Sequence, residues 1–329
     1  MSPSDNTRVW LITGTSTGFG RRAASIALSR GDRVIATARS LDKLDDLRSS
    51  ADDHADRLHL LQLDVTSGSA AIKEVIDAAA AHWGRIDVLV NNAGYGIPGL
   101  LEEGGTERLR LQFETNVFGL MDVTFATLPY MRAQKSGTVV NIGSRSAWRT
   151  DRPGLGPYSS SKAAVHALSE TLATEVAQFN IRVLLVAPGA FRTEGIYGQQ
   201  YYTGNPIADY EPLRSASIKA LKSVPGSEKG DPDKAMEALV DVVRGEGIAK
   251  GREWPGHLVL GEDAEADIRN KAETVIEVLN AWSDVAKGSL MHSRLHFSNL
   301  KYGLSSSILA ESIKSPNCDW LIATSPRHQ

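Results

Sequence analysis

The sequence predicts an α/β fold: a doubly wound parallel sheet of about seven strands with helices on both faces, forming a single domain. Three observations carry that expectation. Short apolar, β-branched runs recur along the chain, and Ala- and charge-rich stretches with helical spacing lie between them. No longer internal repeat replaces this alternation.

The runs are Val9–Thr13, Arg33–Ala38, Leu58–Leu63, Ile86–Val90, Thr138–Ile142, Ile181–Val186 and His257–Leu260. Most are nearly continuous rather than alternating, as in strands buried on both faces. Arg21–Arg30, Ala70–His82, Thr106–Gln134 and Tyr158–Gln178 read as helices between them. Two segments break the rhythm. Residues 190–230 carry Tyr197, Tyr201, Tyr202, Tyr210 and Pro206 with little periodicity, so they read as an irregular loop where a substrate lid would sit. Beyond the helix-like stretch Ala264–Lys287, residues 288–329 hold nine Ser in 42 positions and no amphipathic pattern. The domain is therefore expected to span 7–287, with the rest an appended tail.

Of 329 residues, 42% are hydrophobic and 23% charged, which supplies a core and argues against a disordered chain. The 36 basic and 39 acidic residues give a net charge of -3, with no nucleic-acid footprint. Cys318, the single cysteine, excludes an intramolecular disulfide and any multi-Cys metal site. Met1 to Arg8 is polar, no run approaches a membrane span, and no Asn-x-Ser/Thr sequon occurs. A cytoplasmic, reducing setting is expected.

Thr13-Gly14-Thr15-Ser16-Thr17-Gly18-Phe19-Gly20 follows the first strand directly and opens a helix. Glycines allow a tight turn and let N–H groups at a helix N-terminus approach a pyrophosphate. Gly14, Thr15, Ser16, Gly18, Phe19 and Gly20 are thus candidate dinucleotide contacts. The same turn matches G-x-S-x-G, the nucleophile elbow of an α/β-hydrolase, with Ser16 as nucleophile. That alternative ranks lower, because only His257 lies late enough and no earlier strand supplies an oxyanion hole. After the second strand, Ala36-Thr37-Ala38-Arg39-Ser40 lacks the acid that holds an NAD ribose. Arg39 offers a fork for a 2′-phosphate, so NADP(H) is favoured over NAD(H). Asp64, closing the third strand with Val65, could accept from an adenine amino group or serve as a turn or N-cap residue.

Tyr158 and Lys162 stand four apart at a helix start, on one face. A phenol of pKa about 10 is a poor acid–base at neutral pH. A neighbouring ammonium is expected to lower that value, so the tyrosine can exchange a proton with a carbonyl or alcohol oxygen. Ser144, at the end of the fifth strand, could hold the same oxygen.

In order with Asn91-Asn92-Ala93-Gly94, these residues resemble the classical short-chain dehydrogenase/reductase family across residues 7–287. Thr13–Gly20 is similar to its TGxxxGxG motif and Asn91–Gly94 to its NNAG motif. Asn116 is similar to its helix asparagine, and Pro188-Gly189 with Thr193 to the segment that grips the nicotinamide. The resemblance implies a Rossmann-type fold and a catalytic tetrad of Asn116, Ser144, Tyr158 and Lys162. Tyr158 would be the acid–base; Lys162 would tune it and hold the ribose; Ser144 would orient substrate. Asn116 would hold Lys162 through a water in a proton relay. The resemblance further implies cofactor contacts from Asn92, Ala93 and Gly94, and homodimers or homotetramers formed through the longer helices. Ala36–Arg39 and the helix start at Gly230–Lys234 look like the 17β-hydroxysteroid dehydrogenase/retinol dehydrogenase-like group.

The interval from Ser144 to Tyr158 is one residue longer than the family commonly has, which makes Ser146 a second candidate. Trp148, Arg149 and Arg152 in this interval either contact substrate or form an exposed edge. His292 and His296 lack a third ligand, so no metal site is expected. Tyr95, Ile97, Phe191, Tyr197, Tyr201 and Tyr202 are candidate pocket walls. The expected activity is NADP(H)-dependent hydride transfer between nicotinamide and a ketone or secondary alcohol of steroid-, retinoid- or natural-product-like character. The rival from another class is a non-catalytic NADP-binding regulator.

Overall fold

The computed structural model describes residues 7–194 and 199–289. By internal contacts the chain divides into Met1–Val278 and Leu279–Gln329. In chain order the first unit contains β1 (Val9–Ile12), α1 (Gly18–Ser29), β2 (Arg33–Ala38), α2 (Asp45–Ser50), β3 (Leu58–Gln62), α3 (Ser69–Trp83) and β4 (Val88–Asn91). It continues with α4 (Leu101–Phe113), α5 (Leu120–Gln134), β5 (Gly137–Ile142), α6 (Gly156–Val176) and β6 (Ile181–Pro188). Then follow α7 (Glu211–Lys222), α8 (Pro232–Arg244), β7 (His257–Leu260) and α9 (Glu262–Ala281), inside which the boundary falls. The described residues of the second unit finish α9 and form α10 (Ser283–Gly288).

The seven strands are all parallel, in the order β3-β2-β1-β4-β5-β6-β7. Alternation along each strand feeds two cores. Trp10, Ile12, Val88 and Val90 face α1 and α8, meeting Ala24, Leu239 and Val243. Val9, Leu11, Leu89 and Val139 face α3, α5 and α6, meeting Ile72, Ile76, Met131 and Leu172. Both faces are covered, which is why the strands read as continuous apolar runs. The strand order reverses between β1 and β4, and the crevice at such a reversal is where open α/β sheets bind ligands.

Every strand lies within two residues of its sequence-based position, but three helical expectations need correction. Thr106–Gln134 is not one α-helix: its start matches the break at Gly105, where φ is 56°, but Glu114–Gly119 forms a π-type turn before α5. The loop 190–230 contains α7, whose buried residues are Arg214 and Ser217. A helix held by polar side chains shows no apolar periodicity. The stretch to Lys287 breaks at Trp282 into α9 and α10. Tyr197, His292, His296 and Cys318 lie outside the described residues.

Candidate active site

The turn after β1 is stapled to the segment after β4. Thr13 Oγ1 accepts the N–H groups of Asn92 and Ala93, both at 3.0 Å. Asn92 Nδ2 donates to the carbonyls of Thr13 and Gly14, both at 2.9 Å. This closeness explains a glycine: a Cβ on Gly20 would fall 2.5 Å from both Asn92 Nδ2 and the Gly14 carbonyl oxygen. Gly14 and Gly18 have φ of 69° and 63°, which favours glycine at both. Thr15 spends its N–H and hydroxyl on the Thr37 carbonyl, at 2.9 and 3.1 Å, tying the turn to β2. The Ser16 carbonyl accepts Arg21 Nε at 2.9 Å. Phe19 packs edge-on against Phe191, with centroids 5.3 Å apart. Arg39 is exposed just beyond β2. Asp64 Oδ1 accepts from the Thr66 N–H and hydroxyl at 2.9 and 2.8 Å, the turn role held open above, and Val65 is buried. The cradle opens at the N-terminus of α1, where free N–H groups and the helix dipole suit phosphates. A dinucleotide fits this donor set.

Tyr158, Lys162 and Ser144 meet where β5 ends and α6 begins. Lys162 is buried, and its Nζ donates to the Ile142 carbonyl at 2.7 Å and lies 5.9 Å from the Tyr158 ring centroid. Burial lowers its pKa to about 8. Burial pushes the Tyr158 phenol up, and a hydrogen bond with Ser144 opposes that shift. The expected lowering by Lys162 is therefore overridden: the ammonium is turned toward Ile142, and desolvation of the phenol dominates. Ser144 rather than Ser146 makes the bond to Tyr158, and Ser144 Oγ also accepts the Ser146 N–H at 3.1 Å.

Asn116 sits in the π-type turn, 1% exposed. Its Oδ1 accepts the Tyr95 N–H at 3.1 Å, and its Nδ2 donates to the Tyr95 carbonyl and to Ser161 Oγ, both at 3.0 Å. Ser161 in turn donates to the Tyr158 carbonyl at 2.7 Å. Gly94 keeps the space between the two groups, since its Cβ would lie 3.1 Å from Asn116 Oδ1 and 3.6 Å from Lys162 Nζ. Thr193 lies over Gly18, whose Cβ would be 3.8 Å from Thr193 Cβ. Gly189, after Pro188, donates its N–H to the Leu260 carbonyl at 2.8 Å.

Of the candidate walls, Gly96 faces the Tyr158 ring, Gly99 faces Tyr202 and Gly154 faces Tyr201. Tyr95 and Ile97 are tied to Gln112, while Phe191 belongs to the core. A cleft of about 490 Å³ is lined by Tyr201, Ile218, Leu221 and Pro225 with Gln199, Gln200 and Lys222.

Several groups near the site escaped the sequence reading. His166 Nε2 accepts the Ser144 N–H at 3.4 Å, so it is neutral, and burial with His257 and Lys162 nearby lowers its pKa to about 4. Arg145 and Arg149 pair with Asp267, and the Arg149 side chain stays partly exposed. Glu194 takes the Gly18 N–H at 3.1 Å and a two-pronged bond from Arg22, both arms 2.9 Å. Glycine spacing signals none of these, because their partners lie far away in sequence.

The hydrolase alternative fails on topology. Three strands separate β1 from β7, placing His257 roughly 19 Å across the sheet from the Ser16 turn. Among the described residues there is no cluster of metal-ligating side chains and no helix long and apolar enough to cross a membrane.

Fold and site together define a nicotinamide-dinucleotide oxidoreductase of Rossmann type. The sequence profile described as short chain dehydrogenase matches residues 8–198. The oxidoreductase BOA17 of Botryotinia fuckeliana is 33% identical over 283 residues, covering 86% of this chain and 99% of the relative. A short-chain dehydrogenase from Streptomyces avermitilis superposes with a TM-score of 0.75 at 38% identity, covering 86% and 99% of the two chains. ElxO, solved with NADP bound, gives 0.61 at 27% identity over 77% of this chain and 96% of its own. A 3-ketoacyl-(acyl-carrier-protein) reductase of Brucella melitensis, complexed with NADH, gives 0.61 at 25% over 79% and 98%. The chain belongs to the short-chain dehydrogenase family and is an enzyme acting on the alcohol/carbonyl pair with a nicotinamide cofactor.

Proposed function

We propose that this enzyme is a cytoplasmic NADP(H)-dependent reductase or dehydrogenase that interconverts a ketone and a secondary alcohol on a bulky apolar substrate. The meeting of Ser144, Tyr158 and buried Lys162 carries the reading. When bound, the nicotinamide supplies or accepts the hydride. Tyr158, its pKa raised by burial, holds its proton at neutral pH and gives it to the carbonyl oxygen during reduction. Ser144 holds that oxygen. Lys162, with a pKa about 8, is mostly cationic at pH 7 and stabilises the phenolate that forms. Asn116 acts through Tyr95 and Ser161 to fix the chain around both.

The turn Gly14–Gly20 and Asn92–Gly94 hold the dinucleotide backbone, Asp64 and Val65 flank the adenine, and Pro188, Gly189 and Thr193 hold the nicotinamide end. Arg39, exposed beside the cradle, takes the 2′-phosphate. The aromatic and aliphatic lining at Tyr201, Ile218, Leu221 and Pro225 supports an extended hydrophobic substrate of the steroid or retinoid kind. The lone cysteine supports a reducing compartment. Exposed Leu111, Phe118 and Phe125 support self-association through α4 and α5. Residues 7–287 form the catalytic domain, with 288–329 outside it.

The test is a ketone panel assayed with NADPH and NADH. Tyr158→Phe should reduce turnover by roughly 10²- to 10⁴-fold while NADPH still binds. Wild-type turnover by that variant overturns the assignment. Arg39→Ala should weaken NADPH far more than NADH, and equal losses refute the 2′-phosphate role.

A further inference from the structure

Asp263 lies in the first turn of α9 and reaches two loops that leave neighbouring strands. Its Oδ2 accepts the Ala190 N–H at 2.9 Å and pairs with Arg145 Nη1 at 2.7 Å. Its Oδ1 is fixed by the Ala264 N–H at 3.0 Å. Two glycines make room for the carboxylate. A Cβ on Gly189 would fall 1.9 Å from Oδ1, and one on Gly261 would fall 2.8 Å away. Gly189 is thus required by a side chain 74 positions later, independently of any coenzyme.

Arg145 adjoins Ser144, and Ala190 adjoins Gly189. β5 and β6 are in register through Ile142 and Val186; past that point the ladder between them ends. Asp263 joins the two exits beyond the last paired residues. Arg145 is further fixed by Asp267 at 3.0 Å, which leaves it little freedom to swing. The Asp263 side chain is 40% exposed, so water screens the ion pair and its main contribution is geometric rather than to stability.

We propose that Asp263 is a positioning residue for hydride transfer: one carboxylate holds the serine turn on the substrate-oxygen side at a fixed distance from the Gly189–Ala190 segment on the nicotinamide side. This rests on the roles assigned above to Ser144 and Pro188–Gly189. Reacting atoms must approach to about 3–3.5 Å, and a misplacement of about 1 Å costs on the order of a hundredfold in rate. A tie between the two loops governs that approach without touching substrate.

The experiment compares Asp263→Asn, Arg145→Gln, Arg145→Lys and the Asp263→Asn/Arg145→Gln double variant on the best ketone of the panel. It measures kcat, KM, coenzyme Kd by fluorescence, Tm, and the primary isotope effect with coenzyme deuterated at C4. Asp263→Asn should lower kcat by roughly 10- to 100-fold and raise the isotope effect, with KM for the ketone changed less. The double variant should be no slower than the slower single, because both break one link. Arg145→Lys, which retains the charge on Asp263, should recover part of the loss seen in Arg145→Gln. A lowered Tm with unchanged kcat and isotope effect reduces Asp263 to a fastening and overturns the proposal; so do additive losses in the double variant. Failure of the underlying reading shows separately, as wild-type turnover in Tyr158→Phe.

Discussion

The nucleotide cradle and the loop 190–230 meet at Gly18 but are held by different chemistry. In the cradle, backbone meets backbone, and the fasteners are Thr13 and Asn92 binding each other's main chain. In the loop, side chains meet side chains. Arg214 of α7 pairs with fully buried Glu103, Tyr210 donates to Glu102 at 2.8 Å, and Arg108 lies 4.1 Å over the Tyr202 ring. Close backbone approach admits few residue types, so it writes a motif. An ion pair can be built from many positions, so it leaves no pattern.

The comparison can be broken first at Gly20. Gly20→Val should weaken coenzyme binding roughly a hundredfold, near the upper end of overpacking costs, as measured by NADPH fluorescence titration. Binding within a few-fold of wild type would show that the cradle is not rigid. On the loop side, Glu103→Gln removes the buried charge facing Arg214 and leaves it only the exposed carboxylate of Glu211, which should lower Tm by roughly 5 °C. Replacing both residues with Met should recover much of that loss in the same thermal scan.

His166 sits against Ser144, beside Trp148 and His257. Its folded pKa is about 4 against an ordinary 6.5. Above pH 7 it is neutral whether folded or not, so it has no effect on stability there. Between pH 6.5 and 4 the unfolded chain takes up a proton that the folded chain refuses, and on the order of 3 kcal/mol is lost as pH falls. Denaturant titrations across this window should show that slope, and His166→Gln should flatten it. The smallest effect is at the point of contact between cradle and loop. Arg22 holds the Glu194 carboxyl at a pKa of about 2, so it is ionised at the N-terminus of α1. Glu194→Gln should tighten coenzyme binding by a few-fold, about 0.5–1 kcal/mol, by removing a competing anion from that helix end. Unchanged or weaker binding would show that Glu194 and the phosphates do not compete.

Strands were readable because both faces are buried and each run is apolar throughout. The glycine turn, Asn92 and the Tyr158–Lys162 pair were readable because local spacing fixes their geometry. The π-type turn was not, since Glu114–Gly119 differs from ordinary helix only in how its carbonyls are shared. Nor was α7, whose buried face is polar. Arg145 and Arg149 were visible as an unusual load beside the site, but Asp267 lies over 100 residues downstream, so their pairing with it could not be read.

The π-type turn has a genetic consequence. Such a turn holds one residue more than regular helix needs over the same path. Deleting a single codon within 114–119 would let α4 and α5 merge into one regular helix and leave the sheet intact. With that residue gone the flanking helices keep their phase, so the change falls on the turn itself rather than on the orientation of α4. Gln112 on α4 would keep Ile97 and Tyr95, whereas Asn116 would be shifted off Tyr95 and Ser161. The smallest in-frame deletion here would spare the architecture and unseat Asn116 in one event.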